Sequence, residues 1–180
     1  MSILLVTGLL SASILIIAMV WSLAYPDHRL WPPRQSTLAS KVVVWGLTLV
    51  IFGSAILLGI NDWNGIGWPA FRWIIGVPLV VLGNVVVWHG VAEIGFEATS
   101  GDATGLETSG LYEYSRNPQY VADIAILVGW FVISASLWVL PVVLAGIALL
   151  LLAPFAEEVW LEDRYGEDYR AYREKVRRYF

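Results

Sequence analysis

Four stretches of this chain carry no charged side chain: residues 2–26, 42–61, 73–92 and 124–156. About 20 apolar residues in a helix cross ~30 Å of hydrocarbon, and a helix satisfies its own backbone hydrogen bonds there. Each stretch therefore reads as membrane-spanning. The first is too long for a signal-peptide core and has no basic residue ahead of it, so it reads as a retained span. The last would run about 50 Å as one helix, well beyond the hydrocarbon thickness. It holds Ser134, Ala135 and Ser136 near its middle and Pro141 soon after. A tight hairpin of two short helices fits that pattern better than one long helix. The expected fold is all-α: a single membrane domain over 1–180, with spans near 3–25, 42–61, 72–93, 118–134 and 137–157. A polar loop at 94–117 and a helical tail at 158–180 complete it.

Composition agrees. Of the 180 residues, 58% are hydrophobic and 14% charged, against roughly a quarter charged in soluble domains. A soluble domain this small has too little interior for so much apolar surface. A net charge of −4 speaks against a nucleic-acid partner. The absence of cysteine removes disulfides, thiolate nucleophiles and Cys-ligated metals. Ten Trp and eight Tyr suit a protein with two membrane–water interfaces. Arg29, Arg34 and Lys41 lie between the first two spans, and Arg164, Arg170, Arg173, Lys175, Arg177 and Arg178 lie in the tail. With five spans these share one side, which the positive-inside rule makes cytoplasmic, leaving the N-terminus outside. Gly46 and Gly53 in the second span, and Gly76, Gly83 and Gly90 in the third, recur at helix spacing and read as packing seams.

The polar segments carry the chemistry. The third loop is rich in small residues, including Gly95, Gly101, Thr104, Gly105 and Gly110, and such a stretch can shape backbone around a ligand. It ends in Gly110, Tyr112, Arg116, Asn117, Pro118 and Tyr120, with Asn117 as the expected N-cap of the fourth span. In the tail, Glu157, Leu161 and Tyr165 share a helix face, and Gly166 is a natural stop. Tyr169, Tyr172, Val176 and Tyr179 then form an apolar stripe on an amphipathic helix, which either lies on the membrane or folds back over the loop. Glu157 and Glu158 end the longest apolar run. Adjacent acids there are costly unless a cation or donors meet them. They read either as an interfacial stop or as a pocket for something cationic or rich in hydroxyls. Arg116, at the same depth, pairs with a glutamate or holds an anionic head.

The run from Gly110 to Tyr120, then a hairpin, then Glu157, Glu158, Leu161, Tyr165, Gly166, Tyr169 and Tyr172, resembles the integral-membrane isoprenylcysteine carboxyl methyltransferases and the related phospholipid methyltransferases. The likeness covers about residues 95–180. It implies S-adenosylmethionine as cofactor and a lipophilic or lipidated acceptor that enters from the bilayer. It further implies a cytoplasmic cofactor site between Gly110, Tyr112, Asn117, Pro118 and Tyr120 on one side and Glu157 and Glu158 on the other. Arg116 and Glu158 are then the expected catalytic pair. Many relatives have His where this chain has Asn117, and an amide does not titrate near neutrality. A carboxylate acceptor needs no base, because it is already ionised. An amine or phenol would draw on Glu93, Glu97, Glu113, Asp123, His89 or a tyrosine. The expected chemistry is therefore O-methylation of a carboxylate oriented by Arg116.

His89 and Glu93 share a face near the end of the third span. No third metal ligand is apparent beside them, so they read as a hydrogen-bonded pair or as residues near the substrate path. Asp123 either caps a pocket or bonds a neighbouring helix, Asn84 is expected to join helices, and His28 is expected at the surface. Two other functions remain open: an NADPH-dependent membrane reductase of the sterol-reductase type, and a non-catalytic membrane protein. A 2′-phosphate site would need several basic residues, whereas here twin acids stand at the expected pocket.

Overall fold

The computed structural model describes residues 1–33, 37–100 and 105–179. Arg34, Gly101 and Thr104 lie outside the described residues. Among the described residues five α-helices follow in order: α1 (Ser2–Ala24), α2 (Leu38–Asn61), α3 (Phe71–Thr99), α4 (Pro118–Ser134) and α5 (Leu140–Lys175). Among the described residues there is no strand. Among the described residues four helices, α1, α2, α3 and α5, are long and apolar enough to cross a membrane. The fourth, α4, has 17 residues, or about 25 Å of rise. Much of the outer surface is apolar. Ile3 is 80% exposed and Ile74 76%, an arrangement that suits lipid and not water.

The hairpin forms where the sequence indicates. Ser134 closes α4, Ala135 takes a left-handed conformation (φ 46°, ψ 47°), and Pro141 sits in the first turn of α5. The helix-end carbonyls of the turn, on buried residues, are met by the α2–α3 connection. Asn64 N–H donates to Ser134 O (2.7 Å) and Ile66 N–H to Ala135 O (2.9 Å). Ser136 Oγ donates to Asp62 Oδ2 at 2.6 Å. We call this the hairpin end of the bundle and the opposite end, where α5 leads into the C-terminus, the tail end.

α3 packs mainly on α4, and α1 packs on both α2 and α5. The α3 glycines form the expected seam. A Cβ on Gly76 would stand 2.8 Å from Gly129 O, and one on Gly83 2.8 Å from Ala122 O. Gly90 lies against the Gln119 side chain, whose Cγ a Cβ there would meet at 2.7 Å. The α2 expectation fails: Gly46 and Gly53 face open space, and Gly59 is the α2 glycine in close contact, against Trp130 and Ser134. Glycine spacing marks a smooth helix face but does not say what meets it. Asn84 likewise does not join helices. It is exposed and donates to Val80 O of its own helix at 2.9 Å.

Two helices overrun the expected spans. α3 continues to Thr99, with a break at Gly95 (φ 85°, ψ 159°). α5 continues past Glu157 to a break at Gly166 (φ 53°, ψ −122°), then resumes to Lys175. Both breaks use backbone angles that glycine adopts without a Cβ penalty. The tail stripe is only half helical. Tyr169 and Tyr172 are buried in the helix, but Val176 is extended, and Tyr179 lies past the helix end. The reason is capture of the tail backbone by the segment before α4, so the tail folds back over the third loop.

Candidate active site

The tail end encloses a cavity of about 140 Å3. α4 supplies one wall through Tyr120, with Tyr112, Arg116 and Asn117 just before it. α5 supplies the other through Glu157, Glu158, Leu161, Tyr165 and the returning Tyr169 and Tyr172. Trp31 and Pro32 of the first connection close a third side. Most expected cofactor residues therefore converge.

Gly110 and Pro118 do not line the cavity; they shape its wall from behind. Gly110 has φ +58° and lies against the Glu93 carboxylate, where a Cβ would collide. That carboxylate accepts from Leu111 N–H at 3.3 Å. Pro118 is the buried first residue of α4, where its missing N–H is no loss. His89 and Glu93 are also outside the lining. His89 Nε2 lies 3.4 Å from Glu93 Oε1, and its side chain is largely exposed. The pair thus braces the loop. His28 is exposed, as expected.

The twin acids have different surroundings. Glu158 is occupied by two guanidiniums. Arg178 reaches it through Nε (2.6 Å) and Nη2 (2.8 Å), and Arg116 Nη1 through Oε1 at 2.9 Å. Arg116 Nη1 also donates to the Tyr169 hydroxyl at 3.0 Å. Glu157 instead meets neutral donors. Trp31 Nε1 donates to Oε1 at 2.7 Å, and the Tyr120 hydroxyl makes a very short bond to the same oxygen. Glu158 is thus matched by two cations in place, while Glu157 lines the cavity with neutral donors on its Oε1.

Asn117 occupies the N-cap position but makes no side-chain cap. Its amide donates to Arg178 O at 3.0 Å, Ser115 Oγ donates to the same carbonyl, and Arg116 N–H donates to Arg177 O at 2.9 Å. The tail is held over the cavity by these bonds. Asn117 is therefore a tether here, a role a donating ring nitrogen of His could also fill. Tyr172 OH donates to Tyr112 O at 2.7 Å. Burial, then the Glu157 and Glu93 carboxylates, push the Tyr112 phenol up, so it stays protonated. At the rim, Glu107 accepts from the Ser109 hydroxyl and from the N–H groups of Thr108 and Ser109, and the Ser109 bonds hold its carboxyl below the usual range.

Two buried side-chain nitrogens lack a partner among the described residues, Arg116 Nε and Gln119 Nε2. Both belong to residues lining the cavity. Unmet buried donors are costly in a finished core and mark where a ligand's acceptors fit. Sequence reasoning missed Gln119, Trp31 and Arg178. Trp31 is 126 positions from its partner Glu157, and no local pattern signals that contact. The twin acids could have prompted a search for Arg178, the basic residue in reach of a chain that turns back.

No curated protein and no solved structure matches the chain. A family model described as phospholipid methyltransferase matches residues 71–168. That match takes in α3, the cavity-lining segment before α4, the hairpin and both acids, and the chain belongs to the phospholipid methyltransferase family.

Proposed function

We propose that the protein is an S-adenosylmethionine-dependent methyltransferase acting on a lipophilic acceptor dissolved in the bilayer. The observation that carries this is Glu157, a half-buried carboxylate with neutral partners, facing a cavity walled by aromatic rings. The cofactor has a sulfonium, an ammonium, a carboxylate and ribose hydroxyls. The residues present suit each group. Glu157 suits a cationic centre. Arg116 Nε and Gln119 Nε2 suit a carboxylate or hydroxyl. The faces of Trp31, Tyr120 and Tyr165 suit a flat base or a sulfonium. Bound there, the cofactor supplies an activated methyl group whose carbon–sulfur bond breaks with the electron pair leaving on sulfur. The chain's part is alignment and exclusion of water. Trp31 and the tethered tail close the cavity, and Tyr120 fixes the Glu157 carboxylate.

In this reading α4 is a fifth, short span, the N-terminus lies outside, and the tail end faces the cytoplasm. The basic residues of the first connection and the tail support that orientation. A reductase using NADPH is disfavoured, because Arg116 and Arg178 are both engaged by Glu158. The same engagement weakens the case for a carboxylate acceptor of isoprenylcysteine type oriented by Arg116; that second reading rests on Arg116 Nε, which has no partner among the described residues. The test is to incubate purified protein in lipid nanodiscs with methyl-labelled S-adenosylmethionine and membrane lipid extract, then identify products by mass. Label in a lipid-soluble product supports the reading. Saturable NADPH binding with no methyl-donor binding overturns it.

A further inference from the structure

Trp31 belongs to the connection between α1 and α2, yet it is buried, and its Nε1 donates to Glu157 Oε1 of α5 at 2.7 Å. Ser22, a buried residue in the last turn of α1, holds it there. The Ser22 hydroxyl donates to Ala18 O at 2.7 Å and accepts from Leu30 N–H at 2.9 Å and from Trp31 N–H at 3.0 Å. A serine hydroxyl has one proton and two lone pairs, so all its valences are used, and two of them fasten the backbone at Trp31. Arg29 Nη1 gives the connection a second tie to α5, 3.6 Å from Asp163 Oδ2, but the Asp163 side chain is mostly exposed, and such a pair contributes little.

Trp31 and Tyr120 donate to the same Glu157 oxygen. Two donors converging on one oxygen fix the rotamer of the carboxyl group, and a binding group works best when its neighbours lock it. Tyr120 lies inside residues 71–168 that match the family model, whereas Ser22 and Trp31 lie outside them. We propose that Ser22 is a positioning residue: through Trp31 it sets the Glu157 carboxylate, so the end of α1 and its connection complete a site that residues 71–168 do not build alone. The inference rests on the methyltransferase reading for its ligand and adds a segment to that site. Ser22 itself is not among the residues lining the cavity, so its effect on a bound molecule passes through the indole.

The test follows indole N–H signals of full-length, 15N-labelled protein by NMR, the Trp31 signal being identified by its loss from Trp31→Phe. Ser22→Ala should speed deuterium exchange at the Trp31 indole by about tenfold or more. Trp21→Phe, which removes a 3.0 Å bond to His28 O in the same connection, should leave it unchanged. The Trp130 indole, bonded to Ala55 O at 2.8 Å, shows in the same spectra that each variant is folded. Dialysis of labelled S-adenosylmethionine is the second readout. Trp31→Phe should weaken binding about tenfold and Ser22→Ala about fivefold, within the worth of one hydrogen bond to a charged group. The double variant should bind no more weakly than Trp31→Phe, because the serine acts through the indole; a merely structural role would make the two losses add. Unchanged indole exchange in Ser22→Ala, additive losses of affinity, or undiminished binding by Trp31→Phe overturns the proposal. A parent protein whose Trp31 indole responds to Ser22→Ala but which binds no S-adenosylmethionine counts against the methyltransferase reading and leaves the link from Ser22 to Glu157 standing.

Discussion

At the hairpin end, Arg72 is buried between two indoles, its guanidinium carbon 5.2 Å from the ring centres of Trp63 and of Trp73, and its Nη1 donates to Asn64 Oδ1 at 2.8 Å. At the tail end, Arg116 is also buried, between Glu158 and Tyr169, but its Nε has no partner among the described residues. Both ends use an arginine, aromatic rings, a polar turn and a carboxylate. At the hairpin end these groups satisfy one another, with Asp62 taken by Ser136 and the turn carbonyls by Asn64 and Ile66. At the tail end the parts surround a cavity and leave Glu157 with neutral donors. The same residue types make a seal where their valences close and a site where some are left over.

That contrast can be broken by mutation. The largest effect is expected from Glu158→Ala, which leaves Arg116 as an unpaired buried cation. Loss of a buried pair costs about 3–5 kcal/mol, so thermal unfolding in detergent should shift strongly and trypsin should cut after Arg177 or Arg178. Unchanged melting and tail resistance would show that the pair does not hold the tail. Next is Gly76→Leu in the hairpin half of the α3–α4 seam. Overpacking there should cost about 1–3 kcal/mol of stability with cofactor affinity kept; lost affinity would mean that the two ends are coupled. Asn117→Ala should cost about 1 kcal/mol and expose the tail to trypsin, while Asn117→His should restore protection. The smallest effect is Arg72→Lys, about 0.5–1 kcal/mol from the weakened indole contacts, read by melting alone. A change in methyl transfer there would contradict the view of the hairpin end as a seal.

What the sequence made legible follows the same division. Contacts within one helix or across a tight turn leave local marks: the Ser134–Ser136 turn with Pro141, the Gly76, Gly83 and Gly90 seam, the Gly166 break. The motif residues Tyr112, Arg116, Asn117, Tyr120, Glu157 and Glu158 were legible through family likeness, and they converge. The roles inside the site were not. Glu157 and Glu158 are neighbours on one helix, and only the third dimension gives one to Arg178 and the other to Trp31. Asn117 looks like a cap and acts as a tether. Gly46 and Gly53 look like a seam and meet open space.

In the function proposed above, Glu157 is the carboxylate that receives a cationic cofactor. Equilibrium dialysis of labelled S-adenosylmethionine against purified protein, beside Glu157→Gln, tests this most directly. Removing a charged partner of that kind is worth about 1.5–3 kcal/mol, so affinity should fall by roughly 10- to 100-fold while the melting temperature stays near that of the parent protein. Equal affinity in the two proteins would contradict the account.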